Sequence, residues 1–402
     1  MIESDRKSIT RLLGKFLGLC FILLTACSPM PDTKQETSHE DSPQATEYSD
    51  LKGSSLTIIM PLENKAVADY MQYYVRSELM QRYGITLKIS GGQPTSILRL
   101  LQSGQGGKPG KTIDLFWLND ETLLQFIAAD VLEGPFLNDL TNTPLLKQPF
   151  PNSYRQEALK GMLMPWGLEQ FTFYYNAAKV KDFPSNPEAL KTYIKAHPGR
   201  FSFPISSLGY DFLETLLINL SSSANIDLTG SFSAEKYQQG SQLLQAYITE
   251  IRPFLWKKGA EFPTETQLHT LFLAGELDFS MGAFPGFLDF QIKKERFPKT
   301  AKIGTWENGS LQKAHYIAIA KQVGHKKAAV AFCNFLISPE AQLQKANPMH
   351  WGEETILTID KLTSQQQGDF QQYQPQTSNK PLPALAPEYR LRLMQDLKLW
   401  IR

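Results

Sequence analysis

Apolar and polar positions in the first part of the chain follow two alternating patterns. Three runs are apolar or alternate with period two and have the length of strands: SLTIIM (55–60), ITLKIS (85–90) and IDLFWL (113–118). Between and after them, residues 68–84, the stretch that begins at Pro94 and residues 119–132 have helical spacing. Strands that alternate with helices predict a mostly parallel sheet, and ligands bind such sheets beyond the carboxyl ends of the strands. Here those ends are the GGQPT and WLND turns.

The middle of the chain has a different pattern. Residues 162–180, MLMPWGLEQFTFYYNAAKV, form a long aromatic-rich run without helical period. This run predicts a strand that leaves one lobe for another. A second block of strands and helices follows, with FSFPI and DFSMGAF as predicted strands. HYIAIAK (315–321) alternates again and precedes a predicted helix, HKKAAVAFCNFLISPEAQLQKA.

The N-terminal segment has the composition of an export signal. Basic residues precede an apolar stretch of eleven residues, 16–26, whereas a membrane-spanning helix needs about 20. Leu24-Thr25-Ala26-Cys27 resembles the bacterial lipoprotein signal, in which the cysteine thiol takes a diacylglycerol and becomes the new N-terminus. The resemblance implies a signal peptide at 1–26 and lipid on Cys27. An ordinary signal peptide that ends near a cysteine is the alternative.

A polar stretch follows the cysteine directly. Residues 27–51 are rich in Ser, Thr, Pro, Asp and Glu, which predicts a flexible tether. We therefore expect an exported lipoprotein, anchored in a membrane and facing the periplasm or the cell exterior. Ser28 is not the Asp that marks inner-membrane retention in many Gram-negative lipoproteins, so the choice between inner and outer membrane stays open.

Composition and charge narrow the function class. The chain is 42% hydrophobic and 20% charged with a net charge of +1, and the basic N-terminal segment accounts for that excess. This balance does not suggest a nucleic-acid partner. Of three cysteines, only Cys333 remains in the body after Cys20 leaves with the signal and Cys27 is lipidated. No intramolecular disulfide is then expected, and the apolar helical pattern around Cys333 predicts a buried thiol.

The order of these elements resembles bacterial extracellular solute-binding proteins (family 1) with the type II periplasmic binding protein fold. The resemblance runs from Leu56 to about Trp351 and rests on PWGLEQFTFYYNAAKV, FLAGELDFSMG and AHYIAIAKQVGHKKAAVAFCNFLISPEAQ. Such proteins are the receptors of ABC importers. The resemblance implies two α/β lobes, each a mostly parallel sheet flanked by helices, joined by crossing strands and closing on ligand like a hinge.

The predicted lobes interleave along the chain. Lobe 1 takes residues 52–165 and 315–345, and lobe 2 takes residues 176–310 and 346–402. The hinge strands are predicted at 166–175 and 311–318. The ligand is then expected in the cleft between the lobes, on turns and strands that face it.

Sixteen residues are candidates for ligand binding, and several have a purely structural alternative. The glycines before the second helix could only form a tight turn, the tryptophan of the third strand could be core, and Asp211 could only cap a helix. Strand alternation favours Trp166, Gln170 and Tyr174 as one cleft-facing set. The full set is Gly92, Gln93, Ser96, Trp117, Asn119, Trp166, Gln170, Tyr174, Ser207, Gly209, Tyr210, Asp211, Gly282, Phe284, Trp306 and Tyr316.

An aromatic cleft with few basic residues suits a planar or cationic organic solute, such as a thiamine-like cation or a polyamine, or a sugar face. Stacking and cation–π contacts contribute about 0.5–2 kcal/mol each. Iron-binding relatives carry adjacent tyrosines shortly after the Gly-Glu strand, where this chain has GAFPGFLDF, so ferric ion is disfavoured. The six histidines show no HxxxH spacing. No metal and no cofactor are expected.

Three functions are compatible with this reading. The first is solute capture and delivery to the permease subunits of an ABC importer by a monomer without catalytic residues. The second is a thiaminase-like enzyme on the same fold, which would need a cysteine nucleophile in the cleft, and Cys333 falls outside the cleft pattern. The third is an adhesin or signalling lipoprotein that kept the fold.

Overall fold

The computed structural model describes residues 49–62, 65–92, 94–103, 113–148, 161–373 and 380–400. The predicted signal peptide, Cys27, most of the tether and Gln93 lie outside the described residues. Within the described ranges, no helix is long and apolar enough to cross a membrane.

The first sheet has six strands in the order β2-β1-β3-β8-β4, with β9 added beside β8. Strands β1, β2 and β3 pair in parallel, whereas β8 runs antiparallel to both β3 and β4. The strands are β1 (Ser55–Ile59), β2 (Thr86–Ser90), β3 (Leu115–Leu118), β4 (Leu163–Gln170), β8 (Ser310–Ile319) and β9 (Pro381–Pro383).

The second sheet has three short strands in the order β6-β5-β7, all antiparallel. They are β5 (Thr172–Asn176), β6 (Phe279–Gly282) and β7 (Ala301–Gly304). The α/β fold with sheets flanked by helices is confirmed, but the expectation that the second sheet is mostly parallel is wrong. Alternation of buried side chains is the same in parallel and antiparallel strands, so the sequence pattern did not determine strand direction.

Twelve helices accompany the two sheets in the described part of the chain. Helix α1 has three segments, of which the central one is a π-helical turn: Lys65–Asp69, Tyr70–Val75 and Arg76–Tyr83. The others are α2 (Pro94–Gln102), α3 (Asp120–Ala128), α4 (Pro187–Ala196), α5 (Ser207–Ser223), α6 (Ala234–Ile251), α7 (Glu265–Leu273), α8 (Pro285–Lys293), α9 (Lys326–Leu336), α10 (Pro339–Ala346), α11 (Ser364–Gln371) and α12 (Pro387–Trp400).

Two large apolar clusters form around the two sheets. The first core contains Leu56, Leu115, Met164 and Ile317 with α1, α3 and α9 around them. The second core contains aromatic and aliphatic side chains of β5, β6, α5 and α6, among them Phe173, Phe212, Leu244 and Phe279. The chain crosses between the cores through strands at two places, from β4 to β5 and within β8, and its last part, from Ala384 onward, packs in the second core again.

In the first strand crossing, β4 is followed almost directly by β5, and the second crossing is the single strand β8. Between β4 and β5 lies only Phe171, whose N–H donates to Leu311 O at 2.9 Å. β8 begins in the second core with Leu311 and ends in the first with Ile317 and Ile319. Few residues therefore connect the two sheets at these passages, a connection that permits hinge motion.

The segment FSFPI (201–205) does not form the predicted strand. Phe201 and Phe203 are buried in the second core, but their backbone enters no ladder. Phe201 O accepts from Trp256 N at 2.9 Å, and Arg200 O accepts from Asp278 N at 2.9 Å. Pro204 has no N–H to donate to a ladder, which disfavours strand pairing here. The segment is therefore buried in the core without being a strand.

The two ends of the body also differ from the expected lobe boundaries. The region 346–402 was assigned to the second lobe, but Trp351, Ile356 and Phe370 pack in the first core, and only the part from Ala384 onward packs in the second. At the other end, residues 49–51 of the predicted tether form a short 3-10 turn, because Leu51 is buried in the first core. Apolar side chains at both ends of the body therefore pack into its cores, and this packing sets where the body begins and how its last segment is divided.

Candidate functional site

A cleft of about 970 Å³ lies between residues of the first core and residues of the second sheet region. One wall is formed by tyrosines of α1, by the turn after β3 and by residues 348–351. The other wall is formed by the N-terminus of α5, by α7 and by α8. Rings from both walls face the opening, including Tyr73, Trp117, Phe287 and Phe290.

The turn after β3 positions two predicted site residues in the cleft. Trp117 is the third residue of β3 and is half-buried, with its ring 4.7 Å from the Trp166 ring in an edge contact. Asn119 is the N-cap of α3, and its side chain accepts from Thr122 N at 3.1 Å in a capping box. Asn119 therefore fixes the start of the helix at the cleft edge.

Five of the predicted site residues line the cleft: Gly92, Trp117, Asn119, Ser207 and Phe284. Trp166 and Tyr316 are buried in the first core instead, and Trp306 is buried in the second. Ser96 is exposed on α2 and does not line the cleft.

Four further candidates have internal structural partners. Tyr174 is buried, and its hydroxyl donates to Phe284 O at 2.8 Å. A Cβ on Gly282 would lie 2.2 Å from that Tyr174 hydroxyl, so Gly282 makes room for the ring. Gln170 is buried with its amide 3.4 Å from Lys380 O. Gly209 lies against the backbone of Pro204, and a Cβ on it would be only 1.6 Å from Pro204 O.

The remaining two candidates lie on α5. Tyr210 packs, half-buried, against the second core. Asp211 is buried and bonded to Lys313 Nζ and Arg390 Nη1, both at 2.7 Å. The cap-only alternative for Asp211 does not describe this role, since its carboxylate joins α5 to β8 and α12.

Glu169, rather than Gln170, faces the cleft from the crossing strand. Its side chain is 31% exposed and lines the cleft, whereas Trp166 and Gln170 are buried. The prediction that Trp166, Gln170 and Tyr174 form the cleft-facing set is therefore wrong in the structure. A bulge between Pro165 and Gly167 shifts the register of β4 against β8, but Glu169 and Gln170 lie beyond it on a regular part of the ladder and point to opposite faces. Alternation separates these two faces without showing which of them meets the cleft, and the prediction chose the wrong one.

His315, Glu353 and Lys345 form a buried polar group beside the tryptophan side chains of the cleft. His315 Nε2 is 3.2 Å from Glu353 Oε1, and Lys345 Nζ is 2.8 Å from Glu353 Oε2 and 2.7 Å from Trp166 O. All three side chains are buried. A Cβ on Gly167 would lie 1.9 Å from His315 Nε2, so only glycine leaves room for this group at the bulge. Burial lowers the pKa of Lys345.

The His315 ring connects this group to the cleft. It stacks on the Trp351 ring at a centroid distance of 5.9 Å and 10°, and its centroid is 4.6 Å from the Trp117 ring. Both tryptophans line the cleft. The polar group thus packs against two aromatic side chains that line the cleft.

Comparison with known proteins decides the family. The sequence profile of the family described as bacterial extracellular solute-binding protein matches residues 66–352, which is more than half of the chain. This chain belongs to the bacterial extracellular solute-binding protein family. The matched range contains both sheets except β1 and β9. It also contains all of the cleft residues named above.

Individual relatives agree with this assignment. Protein YnjB of Escherichia coli K12 is 28% identical over 320 residues, which cover 77% of this chain and 81% of YnjB. A crystal structure of an ABC transporter protein from Clostridium perfringens superimposes with a TM-score of 0.60 at 15% identity, covering 86% of this chain and 98% of that one. Iron-bound HitA from Pseudomonas aeruginosa gives a TM-score of 0.60 at 16% identity, covering 86% and 99%. These structures show the type II periplasmic binding protein fold.

As a member of the bacterial extracellular solute-binding protein family, the chain belongs with binding proteins. Its free thiol agrees with that assignment. Cys333 is buried in the first core on α9, and burial raises the pKa of its thiol. A thiol held protonated and away from the cleft has no access to a solute.

Among the residues that the structure describes, no group of three or more His, Cys, Asp or Glu side chains could hold a metal ion. His269 lines the cleft, but its Nδ1 is 2.8 Å from Ser280 Oγ, and burial lowers its pKa to about 4. His269 is therefore neutral at ordinary pH.

Several cleft residues escaped the sequence analysis. Tyr70, Tyr73 and Tyr74 line the cleft from α1, and Phe287 and Phe290 line it from α8. The tyrosines stand at i, i+3 and i+4, a spacing that places them on one helix face. That spacing is a signal in the sequence, but an amphipathic core helix gives the same signal, so only the position of α1 beside the cleft identifies it.

Proposed function

We propose that this protein captures a small organic solute, planar or cationic, in the cleft and delivers it to the permease of an ABC importer. Cys27 would hold it at the membrane through lipid, and residues 27–48 would give it reach. The single observation that supports this proposal is a cleft of about 970 Å³ lined by aromatic rings from both walls. A cleft of that size matches the range typical of small-molecule sites.

The charges at the cleft favour an organic solute over an oxyanion. Carboxylates of Asp69, Glu169 and Glu265 line it. Of the basic side chains that line it, Lys65 is bonded to Asp69 at 2.7 Å and Arg296 lies over the Phe290 ring at 5.9 Å. Closure on the solute would follow from a higher affinity of the closed form.

A thermal-shift screen of the purified protein tests the proposal. Planar aromatic cations, polyamines, neutral sugars, anions and ferric iron would be compared at equal concentration. A bound solute at a hundred times its Kd adds about 2.7 kcal/mol of stability, which corresponds to a rise in Tm of about 4 °C for a body of this size. Stabilisation by ferric iron alone, or by no solute of any class, would contradict the proposal.

Tyr73 offers a mutational check on the site of binding. Its side chain is 71% exposed and lines the cleft, so truncation removes a stacking surface without opening the core. Tyr73→Ala is expected to weaken binding of the solute found in the screen about 2- to 30-fold, with unchanged Tm of the free protein. Isothermal titration calorimetry measures the loss.

Met80 supplies the matched control for that measurement. It lies on the same helix, is 48% exposed and does not line the cleft. Met80→Ala should bind the solute like the unmodified protein. Equal losses in the two variants would show that the effect comes from α1 itself and not from the cleft.

A further inference from the structure

Glu169 lies at the point where a buried network of charged side chains meets the cleft. Its Oε2 is 3.7 Å from Lys313 Nζ, and its Oε1 is 3.8 Å from His315 Nδ1. Both distances exceed the range of a hydrogen bond. The carboxylate is thus near two nitrogens without a short bond to either, and burial raises its pKa.

The network continues behind Glu169 into the second core. Lys313 Nζ bonds Asp211 at 2.7 Å, and Arg390 Nη1 bonds Asp211 at 2.7 Å and Glu214 at 2.8 Å. These four side chains are buried. The positive charge of Lys313 is directed to Asp211, which is 1 Å closer to it than Glu169 is.

On the other side, the network reaches the first core through His315. The His315 ring lies between Glu169 and Glu353, and Glu353 is bonded to Lys345. Among the described side chains of this network, four are carboxylates and three are lysine or arginine. The carboxylates are Glu169, Asp211, Glu214 and Glu353, and the basic side chains are Lys313, Arg390 and Lys345.

Buried charges are stable in proteins when they are paired. Among the described members of this network, Glu169 is the one that lines the cleft, so it is the member that a solute can reach. The rings of Trp117 and Trp351 stand next to His315 and also line the cleft. A cation beside Glu169 would therefore meet both a carboxylate and aromatic faces.

We propose that Glu169 is the side chain that recognises a positive charge on the solute, and that the protein selects cationic planar solutes over neutral ones of the same shape. This inference rests on the proposed function. The other two cleft carboxylates are less suited: Asp69 is bonded to Lys65, and Glu265 is exposed on α7 and accepts from Ser206 Oγ at 2.5 Å.

The test compares Glu169→Gln with Glu235→Gln in the full protein. Glu235 is an exposed glutamate in the first turn of α6 that does not line the cleft, so only Glu169→Gln removes a carboxylate from the cleft and from the network. The probes are matched pairs that differ in charge, nicotinamide with its ring-N-methylated cation and tryptophol with tryptamine, together with spermidine and maltose. Calorimetry gives the affinity ratio of cation to neutral partner for each variant.

The unmodified protein and Glu235→Gln are expected to prefer the cationic member of at least one pair about 10- to 100-fold, and Glu169→Gln is expected to lose that preference. Binding of neutral probes with equal or higher affinity, or a preference that survives Glu169→Gln, overturns the role of Glu169 and leaves the proposed function standing. Binding of none of the probes to any variant contradicts both.

Discussion

Replacing Lys345 by methionine is expected to destabilise the protein by about 3–5 kcal/mol, because it leaves the carboxylate of Glu353 buried without its cation. Lys345 is fully buried, with Nζ 2.8 Å from Glu353 Oε2 and 2.7 Å from Trp166 O. Methionine fills nearly the same volume, so the loss measures charge and hydrogen bonding rather than packing. Urea unfolding followed by tryptophan fluorescence gives the free energy of unfolding.

The double variant Lys345→Met with Glu353→Gln separates charge from structure. It removes both charges of the pair, so it should be more stable than Lys345→Met alone. Lys327→Met is the surface control, since Lys327 pairs with Asp50 at 2.8 Å and the two side chains are 81% and 53% exposed, so no measurable change is expected. Equal instability of the single and double variants would show that Glu353 is not the group left unpaired.

Much of the fold could be predicted from the sequence because its signals are local. The runs at β1, β2 and β3 alternate or are apolar over strand lengths, and the helices between them have the 3.6-residue period. The long aromatic run at 162–180 does contain the passage from one sheet to the other, between β4 and β5. Strand direction in the second sheet was not predictable, since pairing depends on contacts distant in sequence.

The site was predicted less completely, for reasons that the structure makes plain. Trp117 and Asn119 were found because a residue that follows a strand lies at the sheet edge where ligands bind. Glu169 was placed on the rear face, because alternation separates the two faces of a strand without showing which of them meets the cleft. Trp351 reaches the cleft only through the packing of the chain after α10, and no pattern within its own segment indicates that position.

Gly209 gives the second prediction with a large effect. This residue was a candidate for ligand binding, and the structure shows a different reason for glycine there: a Cβ would lie 1.6 Å from Pro204 O and 2.8 Å from Pro204 C. Both are backbone atoms, so no side-chain rotation relieves the clash. Gly209→Ala should therefore destabilise the protein by about 2–3 kcal/mol, even though alanine favours helices.

Gly368 provides the control with the opposite sign. It lies inside α11, is exposed, and has no heavy atom within 4 Å of an added Cβ. Gly368→Ala should stabilise the protein by about 0.5–1 kcal/mol, since alanine loses less backbone entropy in a helix.

A Gly209→Ala variant that keeps full stability but loses solute binding would contradict the close approach to Pro204 and would make Gly209 a candidate for ligand binding again. Thermal unfolding with and without the solute from the screen distinguishes the two outcomes, because only a contact with solute changes the ligand-induced rise in Tm.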